Sequence, residues 1–145
     1  MVLYDIIEYI QQRINADEDL PEIEVLEAYK YAHKVNKTEI QAQIIDHSEF
    51  IRFTTFEDGK VFISPLQFNI FATQMEIGGV MTSAQKAAYI LAQKIIDYLN
   101  TIDLHEALPE ILGARNGTYI SARPFDTGTV LYQTVVRVDL YLETS

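Results

Sequence analysis

The sequence predicts an α+β fold: a single-domain two-layer sandwich with a mostly antiparallel sheet and an N-terminal helix and a longer central helix packed on one face. Three observations predict it. The chain opens with an amphipathic helical pattern, its hydrophobic period changes from 2 to 3.6 residues in the middle, and its second half ends in a long alternating segment. A length of 145 residues fits one domain with one core, and no repeat or linker divides residues 1–145.

The first predicted element is an amphipathic helix of about four turns that ends near Asn15. An acidic loop follows over residues 16–21, where three consecutive acids interrupt the apolar pattern and Pro21 removes a backbone donor. The apolar residues that recur along one helical face are Leu3, Ile6, Ile7, Ile10 and Ile14.

Residues 22–35 fit two structures. Apolar residues alternate along the segment as in a strand, whereas its glutamate, leucine, alanine and lysine content favours a helix. The strand is favoured by its context, because a turn-like Asn36-Lys37 leads into a second alternating segment, residues 38–46. We therefore expect a hairpin between these two segments.

A further hairpin is predicted around Asp58-Gly59, because aromatic and β-branched residues flank it at 50–55 and 61–63. The segment from Thr101 to Asn116, which contains proline and glycine, predicts a loop or a short helical turn.

The closing hairpin is predicted from a strand over 118–124, an Asp-Thr-Gly turn at 126–128 and a strand over 130–143 with apolar even positions. At about 3.3 Å per residue the last strand is about twice the usual length. We therefore expect it to bend at a bulge or to project beyond its own sheet toward a partner subunit.

Residues 64–100 predict a strand, a glycine-containing flexible loop and a long helix. Phe68, Ile70 and Ala72 share one strand face, and the helical period begins at Ala84. The loop between them offers apolar side chains to a neighbouring subunit. The candidate contact residues are Met75, Ile77, Gly78, Gly79, Val80 and Met81 in the loop, with Phe125 and Tyr132 from the closing hairpin.

The Asp-Thr-Gly triplet at 126–128 matches the catalytic turn of homodimeric aspartic proteases. In those enzymes the triplet comes early in the chain, whereas here too few residues follow it to build the loop that holds the active aspartate. A hairpin turn is the favoured interpretation, and we predict no catalytic residue.

No cofactor or metal site is predicted. His33, His47 and His105 lack metal-ligand spacing, and the absence of cysteine excludes thiolate chemistry. The six acids among residues 17–27 lack the spacing of a calcium loop, so a solvated acidic edge is favoured over a divalent cation site. Phosphate-binding and dinucleotide-binding motifs are absent from the sequence.

The net charge of −10 disfavours a surface that follows the phosphates of a nucleic acid. The sequence has no apolar run of membrane-spanning length and no basic segment before its first apolar residues, so neither membrane insertion nor export is expected. A cytosolic protein without disulfides fits this composition.

Four segments in this order cover most of the chain and carry a family resemblance: LYDIIEYIQQRI, EIQAQIIDHSEFIRFTTFEDGKVFISPLQFNIFA, SAQKAAYILAQKIIDYLN and SARPFDTGTVLYQTVVRVDLYLE. Together they resemble the tail terminator or minor capsid proteins of long-tailed bacteriophages and related prophages. What these segments share with that family is a pattern of apolar spacing and turns.

The resemblance implies a non-enzymatic virion structural protein, assembled in the bacterial cytoplasm, that forms a ring, typically a hexamer. Its partners would be its own copies, the tail tube protein and head-completion or connector proteins. DNA would pass through the acidic ring without specific binding, and no membrane would be involved. The alternatives are another head-to-tail or baseplate component, or a small α+β enzyme or ligand-binding domain whose pocket joins residues distant in sequence.

Overall fold

The computed structural model describes residues 2–28, 35, 37–44, 51–54, 60–126 and 130–144, and it confirms the α+β class. The elements in chain order are α1 (Val2–Asn15), β1 (Glu24–Glu27), β2 (Glu39–Ile44), β3 (Ile51–Thr54), β4 (Lys60–Ala72), β5 (Met75–Ile77), β6 (Val80–Thr82), α2 (Ala84–Leu99), α3 (Ile102–Ala107), β7 (Ile111–Asp126) and β8 (Val130–Thr144).

The main sheet has the strand order β1-β2-β4-β8-β7, and β3 pairs with β4. β8 pairs with one edge of β4 along its whole length. On the other edge of β4, β3 pairs with residues 60–63 and β2 pairs with residues 66–71. Strands β5 and β6 form a separate two-stranded sheet. Pro65 lies in the gap between the parts of β4 that pair with β2 and β3, so its missing N–H removes no bond to either strand.

The expected hairpin between 22–35 and 38–46 is wrong. A strand does form in the first segment, at Glu24–Glu27, and it runs parallel to β2 with Glu24 opposite Glu39. Parallel neighbours require a crossover, which a hairpin turn cannot provide. Residues 29–34 and 36, on which the strand-or-helix question also depended, lie outside the described residues.

The Asp58-Gly59 hairpin is confirmed by the antiparallel pairing of β3 with β4, although residues 55–59 themselves lie outside the described part of the chain. The predicted loop from Thr101 to Asn116 is correct only for its first half. That half contains α3, whereas the chain from Ile111 onward is already part of β7.

The long closing strand is confirmed as β8, but it does not project as an unpaired strand. β4 flanks it from Tyr132 to Thr144 on one edge, and β7 flanks it from Val130 to Leu142 on the other. The irregularities that accommodate this length fall in β7, which shifts register at three places along β8. β8 therefore does not project beyond its own sheet, because β4 and β7 together pair with it along its whole length.

The helices cover one face of the sheet. α1 packs against β1 and β2, while α2 packs against β4, β7 and β8. The predicted stripe of α1 is buried, with Ile7 only partly so, and Tyr9 joins it. On α2 four of the eight buried side chains are alanines, which let the helix approach the sheet closely. The helix begins at Ser83, whose hydroxyl accepts the Lys86 N–H at 3.2 Å and so caps the first turn.

The opposite face of the sheet carries a chain of polar side chains across three strands. Arg137 Nε donates to Gln67 Oε1 at 3.0 Å, Gln67 Nε2 donates to Asn69 Oδ1 at 2.8 Å, and Asn69 Nδ2 donates to Gln43 Oε1 at 3.1 Å. These bonds satisfy amide groups that are half-buried or buried. A small apolar cluster of Val35, Phe71 and Leu131 lies on the same face.

Thr134 provides a test of the core. Its side chain is fully buried opposite Ile70, and its hydroxyl has no hydrogen-bond partner among the described residues. Replacing Thr134 by valine keeps the shape and removes the unsatisfied polar atom, so we expect the free energy of unfolding to rise by about 1 kcal/mol. Thermal unfolding should show a midpoint about 2–4 °C higher.

The matched control is Thr82→Val. Thr82 is also buried, but its hydroxyl donates to the Val80 carbonyl at 3.0 Å, so the same substitution should lower stability by about 1 kcal/mol. Equal effects at the two positions would contradict the assignment of Thr134 as unsatisfied.

Candidate subunit-contact site

The segment predicted as a flexible loop is a tight β-hairpin. Met75 pairs with Thr82, Glu76 with Met81 and Ile77 with Val80. The turn between them has φ 60° at Gly78 and φ 80° at Gly79, the two positive values that a two-residue type I′ turn requires. Glycine adopts them without a side-chain clash, so the Gly-Gly pair closes the hairpin instead of leaving it open.

The hairpin separates the predicted contact residues into two faces. Side chains alternate along a strand, so Met75, Ile77 and Val80 share one face and Met81 lies on the other beside Glu76. Met75 is buried in the main core and Ile77 is half-buried, whereas Val80 and Met81 are 66% and 61% exposed. Met75 and Ile77 therefore anchor the hairpin, whereas Val80 and Met81 are available for contact on its two opposite faces.

Tyr132 lies on the same cleft as Met81. Both line an open cleft of about 480 Å³ at the start of α2, together with Gln74, Ser83, Ala84 and Gln85. Phe125 lies on β7 opposite Leu131, and its side chain is outside the described part of the structure. The structure thus brings together Met81 and Tyr132, which are far apart in sequence.

The acidic loop after α1 holds the hairpin turn. Gly78 N–H donates to the Asp19 carbonyl at 2.8 Å. The loop is itself folded around Asp17, whose Oδ1 accepts the Asp19 N–H at 3.0 Å in an Asx-type turn. The predicted acidic edge and the predicted glycine loop are therefore one connected structure.

Asp17 also binds two side chains of α2. Lys94 Nζ lies 2.7 Å from Asp17 Oδ2, and the Tyr98 hydroxyl donates to the same oxygen at 3.1 Å. Both side chains of the ion pair are largely shielded from water, with 26% of Lys94 and 18% of Asp17 exposed. The Arg13 guanidinium lies over the Tyr98 ring, 5.5 Å from its centroid, and forms an ion pair with Asp103 at 3.6 Å.

These contacts shift two pKa values in opposite directions. The hydrogen bond from Lys94, helped by those from the Asp19 amide and Tyr98, holds the pKa of Asp17 below its usual value. Burial, with the negative charge of Asp17 beside it, raises the pKa of Tyr98 to about 12. At neutral pH the site therefore holds a charged carboxylate and a neutral phenol.

The histidines and the Asp-Thr-Gly triplet considered in the sequence form no common site among the described residues. His105 is exposed on α3, and its Nδ1 donates to the Ile111 carbonyl at 2.8 Å, whereas His33 and His47 lie outside the described residues. Of the Asp-Thr-Gly turn at 126–128, the structure describes Asp126, which ends β7 opposite Val130. Among the described side chains, no group of three or more histidines or acids is placed to hold a metal ion.

Two structural side chains were missed by the sequence analysis. The Gln11 amide donates to the Ile23 carbonyl and accepts the Val25 N–H, both at 2.8 Å, and so fastens β1 to α1. The other missed side chain is Lys94 of α2. Its partner Asp17 is 77 residues away in sequence, and neither residue carries a local signal of the pairing.

Comparison with known proteins adds no relative: no protein-family model matches the chain, and no curated protein matches its sequence. In the described part of the chain, none of the helices has the length and apolar character needed to cross a bilayer. The geometry of the hairpin and the resemblance described above are the basis for a functional proposal.

The turn glycines should be sensitive to substitution through their backbone alone. A Cβ at Gly79 would meet nothing within 4 Å, and one at Gly78 would make an ordinary 3.7 Å contact with Asp19 Oδ1. We expect Gly78→Ala and Gly79→Ala each to lower the free energy of unfolding by about 1 kcal/mol, and asparagine to cost less. Urea denaturation measures this, with Gly113→Ala, which has no positive φ, as the control that should be neutral.

The Asp17 contacts predict a pH dependence. A carboxyl with a lowered pKa in the folded state contributes stability above its unfolded pKa of about 3.9 and loses it as the pH falls through the folded value. We expect Asp17→Asn to cost about 1 kcal/mol at pH 7 and progressively less below about pH 4. Denaturant unfolding of both proteins across this range tests the prediction.

The control for the pH series is Asp97→Asn, which removes the same charge from an exposed position of α2 that contacts Gln93. A difference between wild type and Asp17→Asn that stays constant from neutral to acid pH would contradict the ion pair as its source.

Proposed function

We propose that this chain is a virion structural protein, a ring-forming tail terminator or tail-completion subunit that joins a phage tail tube to the head. The observation that carries the proposal is the apolar hairpin tip. Val80 and Met81 are the most exposed large apolar side chains in the described part of the chain, and they occupy adjacent positions in β6, directly after a turn whose backbone is fixed. The resemblance in element order gives this surface its proposed setting.

A fixed apolar tip is suited to protein contact. Burying exposed apolar area favours association, and a surface already held in its bound shape loses little conformational freedom when a partner arrives. The type I′ turn and the Gly78–Asp19 hydrogen bond hold the backbone of this tip. Met81 and Tyr132, which share a cleft, are residue types enriched at interfaces.

The two faces of the tip support a ring. Val80 and Met81 point to opposite sides of the hairpin, so a flat partner surface could cover only one of them. A partner that covers both must enclose the tip with a different part of its own surface. A contact between two unlike surfaces repeats head to tail, and it produces a closed ring when the rotation between copies closes. The resemblance adds the expectation of six copies.

The charge of the chain suits a ring around DNA. A net charge of −10 repels the phosphate backbone, so DNA would slide through the lumen without adhering. In this proposal the tail tube protein and the head-completion or connector proteins contact the two ends of the ring. The chain has no catalytic role and needs no cofactor.

The test is the self-association of tip variants. We expect wild-type protein to form ring-shaped particles, visible by electron microscopy and measurable by sedimentation velocity. Val80→Glu and Met81→Lys should each weaken this association at least tenfold, because a charge would have to be desolvated in the contact. Both residues are exposed, so thermal unfolding of the monomer should change little.

The matched control is Leu112→Glu, a change of another exposed apolar residue, placed on β7. Rings should persist in this variant. Wild-type protein that stays monomeric at the highest soluble concentration, or tip variants that assemble as wild type does, would overturn the proposal. Stabilisation of a persistent monomer by a small molecule would then favour the ligand-binding alternative.

A further inference from the structure

A continuous chain of contacts leads from the middle of α2 to the hairpin turn. Lys94 Nζ contacts Asp17 Oδ2 at 2.7 Å, Asp17 Oδ1 accepts the Asp19 N–H at 3.0 Å, and the Asp19 carbonyl accepts the Gly78 N–H at 2.8 Å. Each link is within hydrogen-bond distance. Four residues from three separate parts of the sequence thus connect a helix that packs on the core to an exposed turn.

The two ends of this chain differ in how firmly they are held. α2 is fixed by a fully apolar face against β4, β7 and β8. The hairpin forms its own two-stranded sheet, and its base is held by the buried side chains of Met75 and Thr82. Among the backbone hydrogen bonds of the described residues, the Gly78–Asp19 bond is the one that ties the turn to the rest of the protein.

We propose that Asp17 is a positioning residue that latches the hairpin tip to α2. While Lys94 holds Asp17, the loop of residues 16–21 presents the Asp19 carbonyl to the turn. When that contact is lost, the loop and the tip move independently of the helix. Elements held by few contacts open locally at low free-energy cost, so the latch decides how often the tip leaves its position.

For assembly, this inference rests on the proposed function. A tip that samples many positions must be ordered when it enters a partner, and that ordering weakens binding. The latch therefore controls ring formation without contributing an atom to the interface. Asp17 and Lys94 are largely shielded, so they are not the surface that a partner touches.

The experiment is hydrogen exchange at individual amides in the monomer, which reports local opening directly. We expect the Gly78 amide to exchange at least tenfold faster in Asp17→Ala than in wild type, while amides of α2 around Leu91 accelerate only by the smaller factor that the lower global stability of the variant produces. Asp17→Asn should give a smaller effect, because its amide oxygen can still accept the Asp19 N–H. Lys94→Met keeps the apolar stem and removes the ammonium, and it should behave as Asp17→Asn does.

Two variants separate a latch from a general loss of stability. Lys94→Arg restores a cation and should recover most of the protection at Gly78. Asp97→Asn removes a charge from α2 without touching the loop and should leave Gly78 unchanged. Exchange that accelerates by the same factor at Gly78 and in α2 would mean global destabilisation and would overturn the latch, as would unchanged exchange at Gly78 in Asp17→Ala.

Self-association of the same variants is measured separately from hydrogen exchange. We expect the self-association of Asp17→Ala and Lys94→Met to fall several-fold although Val80 and Met81 are intact, and Lys94→Arg to restore it. If the Val80 and Met81 variants assemble as wild type does, the proposed function fails. The exchange experiment still tests the latch, because it is carried out on the monomer. Ring formation at wild-type strength in variants whose Gly78 amide exchanges faster would overturn the assembly role alone.

Discussion

The structure depends on the pairing of β4 with β8. The 13 residues of β4 pair with β8 without a break, from Lys60 opposite Thr144 to Ala72 opposite Tyr132. Because alternate side chains of both strands point to the same face, this ladder creates a largely apolar surface, interrupted by the hydroxyls of Ser64 and Thr134. α2 packs on that surface with a stripe of small and branched residues, while α1 packs beside it on β1 and β2.

The hairpin occupies the connection between these two layers. The chain leaves β4 at Ala72, forms β5 and β6, and enters α2 at Ala84. A simple loop could span this distance, but the connection instead folds back on itself and places two apolar side chains in solvent. The acidic loop after α1 then fixes the turn through Asp19 and is itself fixed to α2 through Asp17. The proposed contact surface is thus held in place by the acidic loop after α1, which is in turn held by α2.

The periodic patterns of the sequence predicted the elements that pack on one face. The bounds of α1 and α2, the hairpin at Asp58-Gly59 and the closing hairpin all follow from the spacing of apolar residues, because burial on one side imposes that spacing. The pairing of β1 was predicted wrongly. A strand pattern indicates that a segment is extended, but it does not identify its neighbour, and the parallel partner of Glu24 depends on a crossover.

The sequence by itself determined the α+β class, the helix stripes and the presence of an apolar segment around Gly78-Gly79, since each is a property of residues close together along the chain. Only the tertiary structure decided that the glycines close a hairpin, that Val80 and Met81 point to opposite sides, and that Asp17 joins Lys94 and Tyr98. The contacts of Asp17 with Lys94 and Tyr98 join residues that are separated by 77 and 81 positions in the sequence. Contacts over such separations leave no periodic pattern in a sequence. They form because folding of the apolar core brings those positions together.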